Sequence, residues 1–125
     1  MIQITPHMRI MLAVEPADFR KGIDGLTGIV KQALQSDPFD GTLFVFRNKS
    51  RTAVKIISYD GQGFWLCQKR LSRGRFNWWP EKLDRQAQLL AAHEVQLLLW
   101  NGNPEAASAV LWKKISPRQF FAGHT

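Results

Sequence analysis

The sequence predicts one α+β domain: an antiparallel meander sheet of about four or five strands packed on an N-terminal helix, followed by a helical C-terminal segment. Three observations predict it. Short β-branched and aromatic runs follow one another between Thr42 and Pro80, separated by tight turn signals. Apolar residues recur at three- and four-residue spacing between Ile23 and Leu34, and again after Pro80. The chain of 125 residues, 45% apolar and 22% charged, has the size and composition of a single domain with a true core. Its organisation divides into an α+β core over 6–80 and a helical and irregular segment over 81–125.

Arg9 to Val14 (RIMLAV) is short and apolar and runs into Glu-Pro, which marks a first strand. After DFRK, the positions Ile23, Leu26, Ile29, Val30, Ala33 and Leu34 form one buried helix face, with Asp18 or Asp24 available to cap it. Gly22, Gly25 and Gly28 weaken this helix by up to about 1 kcal/mol each; their spacing would admit another backbone, although exposed, tolerated glycines are the commoner case. DPFDG ends it near Ser36. TLFVFRN (42–48) and TAVKIISY (52–59) read as strands joined by a polar connection, and DGQG turns the chain into FWLCQKRL (64–71). SRG leads into RFNWWP, a further strand of the meander. LDRQAQLLAAHEVQLLLWNG then carries two apolar clusters at helical spacing, with Gly102 placed to end a helix.

Alternation gives the sheet two faces. Phe44, Phe46, Val54 and Ile56 can share an apolar face lying on the helix, which puts Arg47, Lys55 and Tyr59 opposite. Trp65, Cys67 and Lys69 alternate with Phe64, Leu66 and Arg70, so a bulge near the end of that strand is expected. The outcome is one apolar face and one basic, aromatic face suited to a phosphate backbone.

Charge sharpens this reading. The net charge is +7, and between Arg47 and Arg75 stand Arg47, Lys49, Arg51, Lys55, Lys69, Arg70, Arg73 and Arg75 against Asp60 alone. The rest of the chain is balanced, nine basic residues to nine acidic. Localised charge of this kind is the footprint of a nucleic-acid-binding surface; the alternative is a solubilising rim. Arg20 and Lys21 precede a helix N-terminus, whose free amides also favour phosphate. Arg20 could equally pair with Asp18 or Asp24.

Other chemistries find little support. No apolar run approaches the roughly 18 residues of a membrane helix, and no signal peptide is read, so a cytoplasmic protein is expected. The single Cys67 excludes an internal disulfide and reads as an inert mid-strand thiol. His7, His93 and His124 are scattered, the carboxylates sit in turns and caps, and GIDGLTG lacks the GK[ST] of a phosphate loop. No catalytic residue, metal site or cofactor is expected. The five tryptophans could stack on bases, though packing in a core or interface is their commoner use; adjacent Trp78 and Trp79 cannot both face a core, and Trp79 and Trp100 are the candidates for contact with a protein partner.

DFRKGIDGL, DPFDG, LFVFRNKSR, VKII, YDGQGFWL, KRL and GRFNWWP, in that order, resemble the TnpB-type accessory proteins of the bacterial insertion sequence family 66. The likeness spans Pro6 to Pro80, through Asp18, Arg20, Lys21, Gly22, Phe44, Phe46, Arg47, Asp60, Gly61, Gly63, Lys69, Arg70, Gly74, Arg75, Phe76 and Pro80. It implies a non-catalytic factor for transposition that acts with a large transposase and a second small protein, with DNA, in particular transposon ends, as the expected ligand. Two functions follow: DNA binding through the basic face, or docking on the transposase without touching DNA. Structural RNA binding is a third.

Overall fold

A computed structural model describes residues 4–81 and 85–101. The elements are β1 (Ile10–Ala13), α1 (Ile23–Gln32), β2 (Leu43–Arg47), β3 (Ala53–Tyr59), β4 (Phe64–Arg70), β5 (Ala87–Leu90) and α2 (Ala92–Leu99). The α+β class holds, with one five-stranded mixed sheet in the order β4-β3-β2-β1-β5.

The meander is confined to β2, β3 and β4. β1 lies parallel to β2, with Ile10 opposite Leu43, and α1 makes the crossover that a parallel connection requires. On its other edge β1 takes β5 antiparallel, with Ile10 opposite Leu90. Three further expectations change. RFNWWP forms no strand; Phe76, Trp79 and Pro80 are buried as an irregular cover over the sheet. The first half of the expected C-terminal helix is instead β5, because AQLL can complete the open edge of β1, and only Ala92–Leu99 is helical. β3 and β4 pair without interruption from Ala53–Arg70 to Tyr59–Phe64, so the expected bulge is not formed.

The larger correction concerns the faces. Asn48 N–H bonds the Ala53 carbonyl at 3.2 Å and closes the β2–β3 turn around an even number of residues. That parity sets Phe44 opposite Ile57 and Phe46 opposite Lys55. One face holds Met11, Phe44, Phe46 and Ile57 beneath Leu26 and Val30 of α1. The other holds Leu12, Val45, Val54 and Ile56 beneath Phe76, Trp79, Val95 and Leu98. Both faces of the central strands are buried, which the near-continuous apolar runs IMLA, LFVF and AVKIIS already signal. No basic, aromatic face exists there; charge can reach solvent only at the ends and edges.

α1 starts after Gly22, without a side-chain cap from Asp18 or Asp24, and ends at Gln32. Ser36 N–H closes on the Val30 carbonyl at 3.0 Å across Gln35, whose φ of 51° is left-handed. The glycine spacing in α1 serves no close backbone approach: a Cβ at Gly25 would meet the Lys21 stem at 2.7 Å, and one at Gly28 would meet nothing within 4 Å. No helix among the described residues is long and apolar enough to cross a membrane.

Candidate nucleic-acid interface

The cations gather where β2 and β4 finish and β3 begins. Arg47 pairs with Val54 across the first hairpin, and Ala53 pairs with Arg70 across the second. Between the strands, the Asn48 side chain organises the turn. Its Oδ1 accepts from the amides of Thr52 (2.9 Å) and Ala53 (3.1 Å), and its Nδ2 donates to Thr52 Oγ1 at 2.9 Å. This pins Arg51 in the left-handed region at φ 59°. The sequence marks NKSR only as a polar connection; an Asn opening a tight turn is the signal for this brace.

The following loop is tied to the same turn at both ends. Leu71 N–H bonds the Thr52 carbonyl at 2.9 Å and Phe76 N–H bonds that of Arg51 at 2.7 Å. Arg73 and Arg75 project from the loop so held. Asn101, at the end of α2, clamps it further: its Oδ1 accepts from Asn77 N–H at 2.7 Å and its Nδ2 donates to the Arg75 carbonyl at 3.1 Å. On the α1 side, Ala17 N–H bonds the Arg47 carbonyl at 2.8 Å. An open groove of about 590 Å³ runs between Pro16–Phe19 and Asn48–Ser50.

Arg20, Lys21, Arg47, Lys49, Arg51, Arg70, Arg73 and Arg75 thus approach one end of the sheet. Two ion pairs temper this charge. Asp18 takes the Arg20 guanidinium at 2.7 Å, and Arg51 pairs with Glu81. Of the two carboxylates open to Arg20, it is Asp18 that pairs with it. The Arg20 side-chain hydrogen bond holds the Asp18 carboxyl down at about 2 and raises the arginine in turn. Lys21, Lys49, Arg70, Arg73 and Arg75 are exposed and have no carboxylate partner among the described residues.

Three expected contact residues are placed otherwise. Lys55 is buried on the α1 face, 7% exposed. Its Nζ donates to the carbonyls of Phe19 (2.9 Å) and Lys21 (3.1 Å) and lies 4.9 Å from the Phe19 ring centre. It ties the segment before α1 to the sheet. Trp79 is 4% exposed, with Nε1 donating to the Ala13 carbonyl at 2.9 Å, so its side chain is not offered to a partner. Lys69 is exposed but lies on the α2 face, where Nζ donates to the Leu99 carbonyl.

Arg47 is part-buried, its guanidinium 6.0 Å from the Trp79 ring centre, with Nη1 donating to the carbonyls of Asn48 (3.2 Å) and Lys49 (3.5 Å). Burial, and secondarily the charge of Arg51, push its pKa below the ordinary arginine value. It remains a cation. Trp100 is 70% exposed at the C-terminal end of α2. Among the described residues, no three His, Cys, Asp or Glu side chains are grouped to hold a metal.

The comparisons with known proteins agree with the sequence resemblance. Two proteins of Sinorhizobium fredii are similar. Uncharacterized protein y4jC is 43% identical over 82 residues, covering 66% of this chain and 70% of the relative. Uncharacterized protein y4hO is 44% identical over 72 residues, covering 58% of this chain and 63% of the relative. No solved structure matches. Residues 8–109 match the family described as IS66 Orf2 like protein, which extends past the motifs through β5 and α2. The chain therefore belongs to the IS66 Orf2-like family, and that membership suggests an accessory role in transposition.

Proposed function

We propose that the protein is a non-catalytic accessory factor of transposition that binds DNA through the basic end of its sheet, in concert with a separate transposase. One observation carries the reading: Lys49, Arg70, Arg73 and Arg75, without carboxylate partners among the described residues, share a single sheet end with Lys21. Both faces of the central strands are packed, so this end is where most of the cations can meet a phosphate backbone together. Arg47 and Arg51 add field from behind. Contacts of this type position a duplex and carry no sequence code, so the selectivity for element ends would come from the transposase or from DNA shape.

The test is a salt titration of binding to duplexes from the element's ends and to scrambled duplexes. Four phosphate contacts give a slope of log affinity against log salt of about −4. Replacing Lys49, Arg70, Arg73 and Arg75 together by Ala should remove most of that slope and leave the fold intact. Wild-type protein that shows no salt-sensitive binding to any duplex refutes the proposal.

A second reading is favoured by the exposure of Trp100, which suits a side chain that docks on the transposase. It expects co-purification with the transposase in the absence of DNA, lost in Trp100→Ala and retained in the four-residue variant.

A further inference from the structure

We infer that a second copy of this chain pairs with β4, edge to edge and antiparallel, to join two five-stranded sheets into one. β4 is a terminal strand, and no described strand lies on its outer edge. Asp60 N–H bonds the Gly63 carbonyl and Leu71 N–H bonds that of Thr52, so the odd-numbered residues between turn their amides toward β3. Phe64, Leu66, Gln68 and Arg70 turn theirs outward, a regular row of donors and acceptors on a strand of seven residues. The edge carries neither a proline nor a bulge to blunt it. Its side chains include the exposed Trp65 (47%) and Leu66 (37%).

The charge pattern of β4 selects the occupant. Its first half is aromatic and is preceded by an acid: Phe64, Trp65, and Asp60, whose Oδ2 accepts from Trp65 Nε1 at 2.8 Å. Its second half is basic, with Lys69 and Arg70. An antiparallel copy centred on Cys67, the midpoint of the strand, uses all four outward residues. It sets Leu66 opposite Gln68 of the other copy, Phe64 opposite Arg70, and Trp65 with its bound Asp60 opposite Lys69. Each cation then meets an aromatic face or a carboxylate. Parallel pairing would instead stack the basic halves together.

The same register places Cys67 opposite its own counterpart in a non-hydrogen-bonded pair. Cα atoms there stand about 4.5 Å apart, within the disulfide range of roughly 4.4–6.8 Å. With one cysteine in the chain, mild oxidation with copper phenanthroline can form only a Cys67–Cys67 cross-link. Sedimentation equilibrium of the reduced full chain should show a dimer, and oxidation should convert it to a covalent one. Leu66→Pro removes only an outward amide, hence two hydrogen bonds per dimer, and should weaken association roughly 10- to 100-fold with loss of cross-linking. Cys67→Lys puts like charges across the two-fold axis and should leave a folded monomer by circular dichroism. A reduced wild-type chain that stays monomeric at its highest soluble concentration overturns the inference. So does a dimer that persists undiminished in both folded variants. Should Leu66→Pro fail to fold, Cys67→Lys and wild-type cross-linking decide.

Discussion

Replacing Lys55 by Met separates a structural cation from a ligand-binding one. In the native chain the Lys55 ammonium sits beneath the segment leading into α1, bonded to the carbonyls of Phe19 (2.9 Å) and Lys21 (3.1 Å). Met keeps most of the apolar stem and removes the charged donor. Two charge-assisted hydrogen bonds are lost, each worth about 1.5–3 kcal/mol, and the contact with Phe19 adds about 0.5–2 kcal/mol. The desolvation cost of the buried ammonium is recovered, which offsets several kcal/mol of that sum. A net loss of about 2–3 kcal/mol remains, a large share of the 5–15 kcal/mol typical of a domain. Urea unfolding should therefore show a lowered midpoint, and thermal unfolding a melting temperature down by roughly 10 °C. The salt slope of DNA binding should be unchanged at a temperature where the variant is folded. Arg73→Ala should do the reverse: stability within about 0.5 kcal/mol of wild type, and a slope smaller by about 1. If Lys55→Met leaves stability within 0.5 kcal/mol while lowering the slope by about 1, the buried placement of Lys55 is refuted.

The Trp79 indole donates to the Ala13 carbonyl and lies under Arg47, so Trp79→Phe should cost about 1–2 kcal/mol by chemical denaturation. It should leave any association with the transposase intact, because the side chain is not at the surface. Acid sensitivity should follow Asp60, whose carboxyl is lowered first by the Gln62 and Gly63 amides and then by the Trp65 indole. A lowered folded-state value stabilises above the unfolded value, near 4, and the gain disappears as pH falls through the folded value. Melting temperatures recorded from pH 5 to pH 2 should thus decline less steeply for Asp60→Ala than for wild type, with Asp18 contributing the last part of the decline, near pH 2.

How much of this was legible in the sequence depended on whether local chemistry or long-range pairing decided the outcome. β1 through β4 and α1 lie where periodicity and turn residues put them, because those signals act between neighbours in the chain. DGQG turns through Asp60 accepting from the Gln62 and Gly63 amides, a contact its own spacing dictates. The basic segment was equally plain, as was the family likeness carried by its ordered motifs. What composition and alternation could not settle was which face each residue took. A turn with an even number of residues couples even positions of β2 to odd positions of β3, and that parity alone moved Lys55 from a supposed ligand face into the packing under α1. β5 likewise owes its state to β1: AQLL has helical spacing on both sides, yet the unfilled hydrogen bonds of a buried strand edge outweigh that local preference. Only the tertiary structure drew Arg73 and Arg75 back to the Asn48 turn through the Thr52 and Arg51 carbonyls. Residue order along the chain is enough to place the excess charge in one segment. The fold decided that packing on both faces of the central strands gathers most of these cations at one end of the sheet.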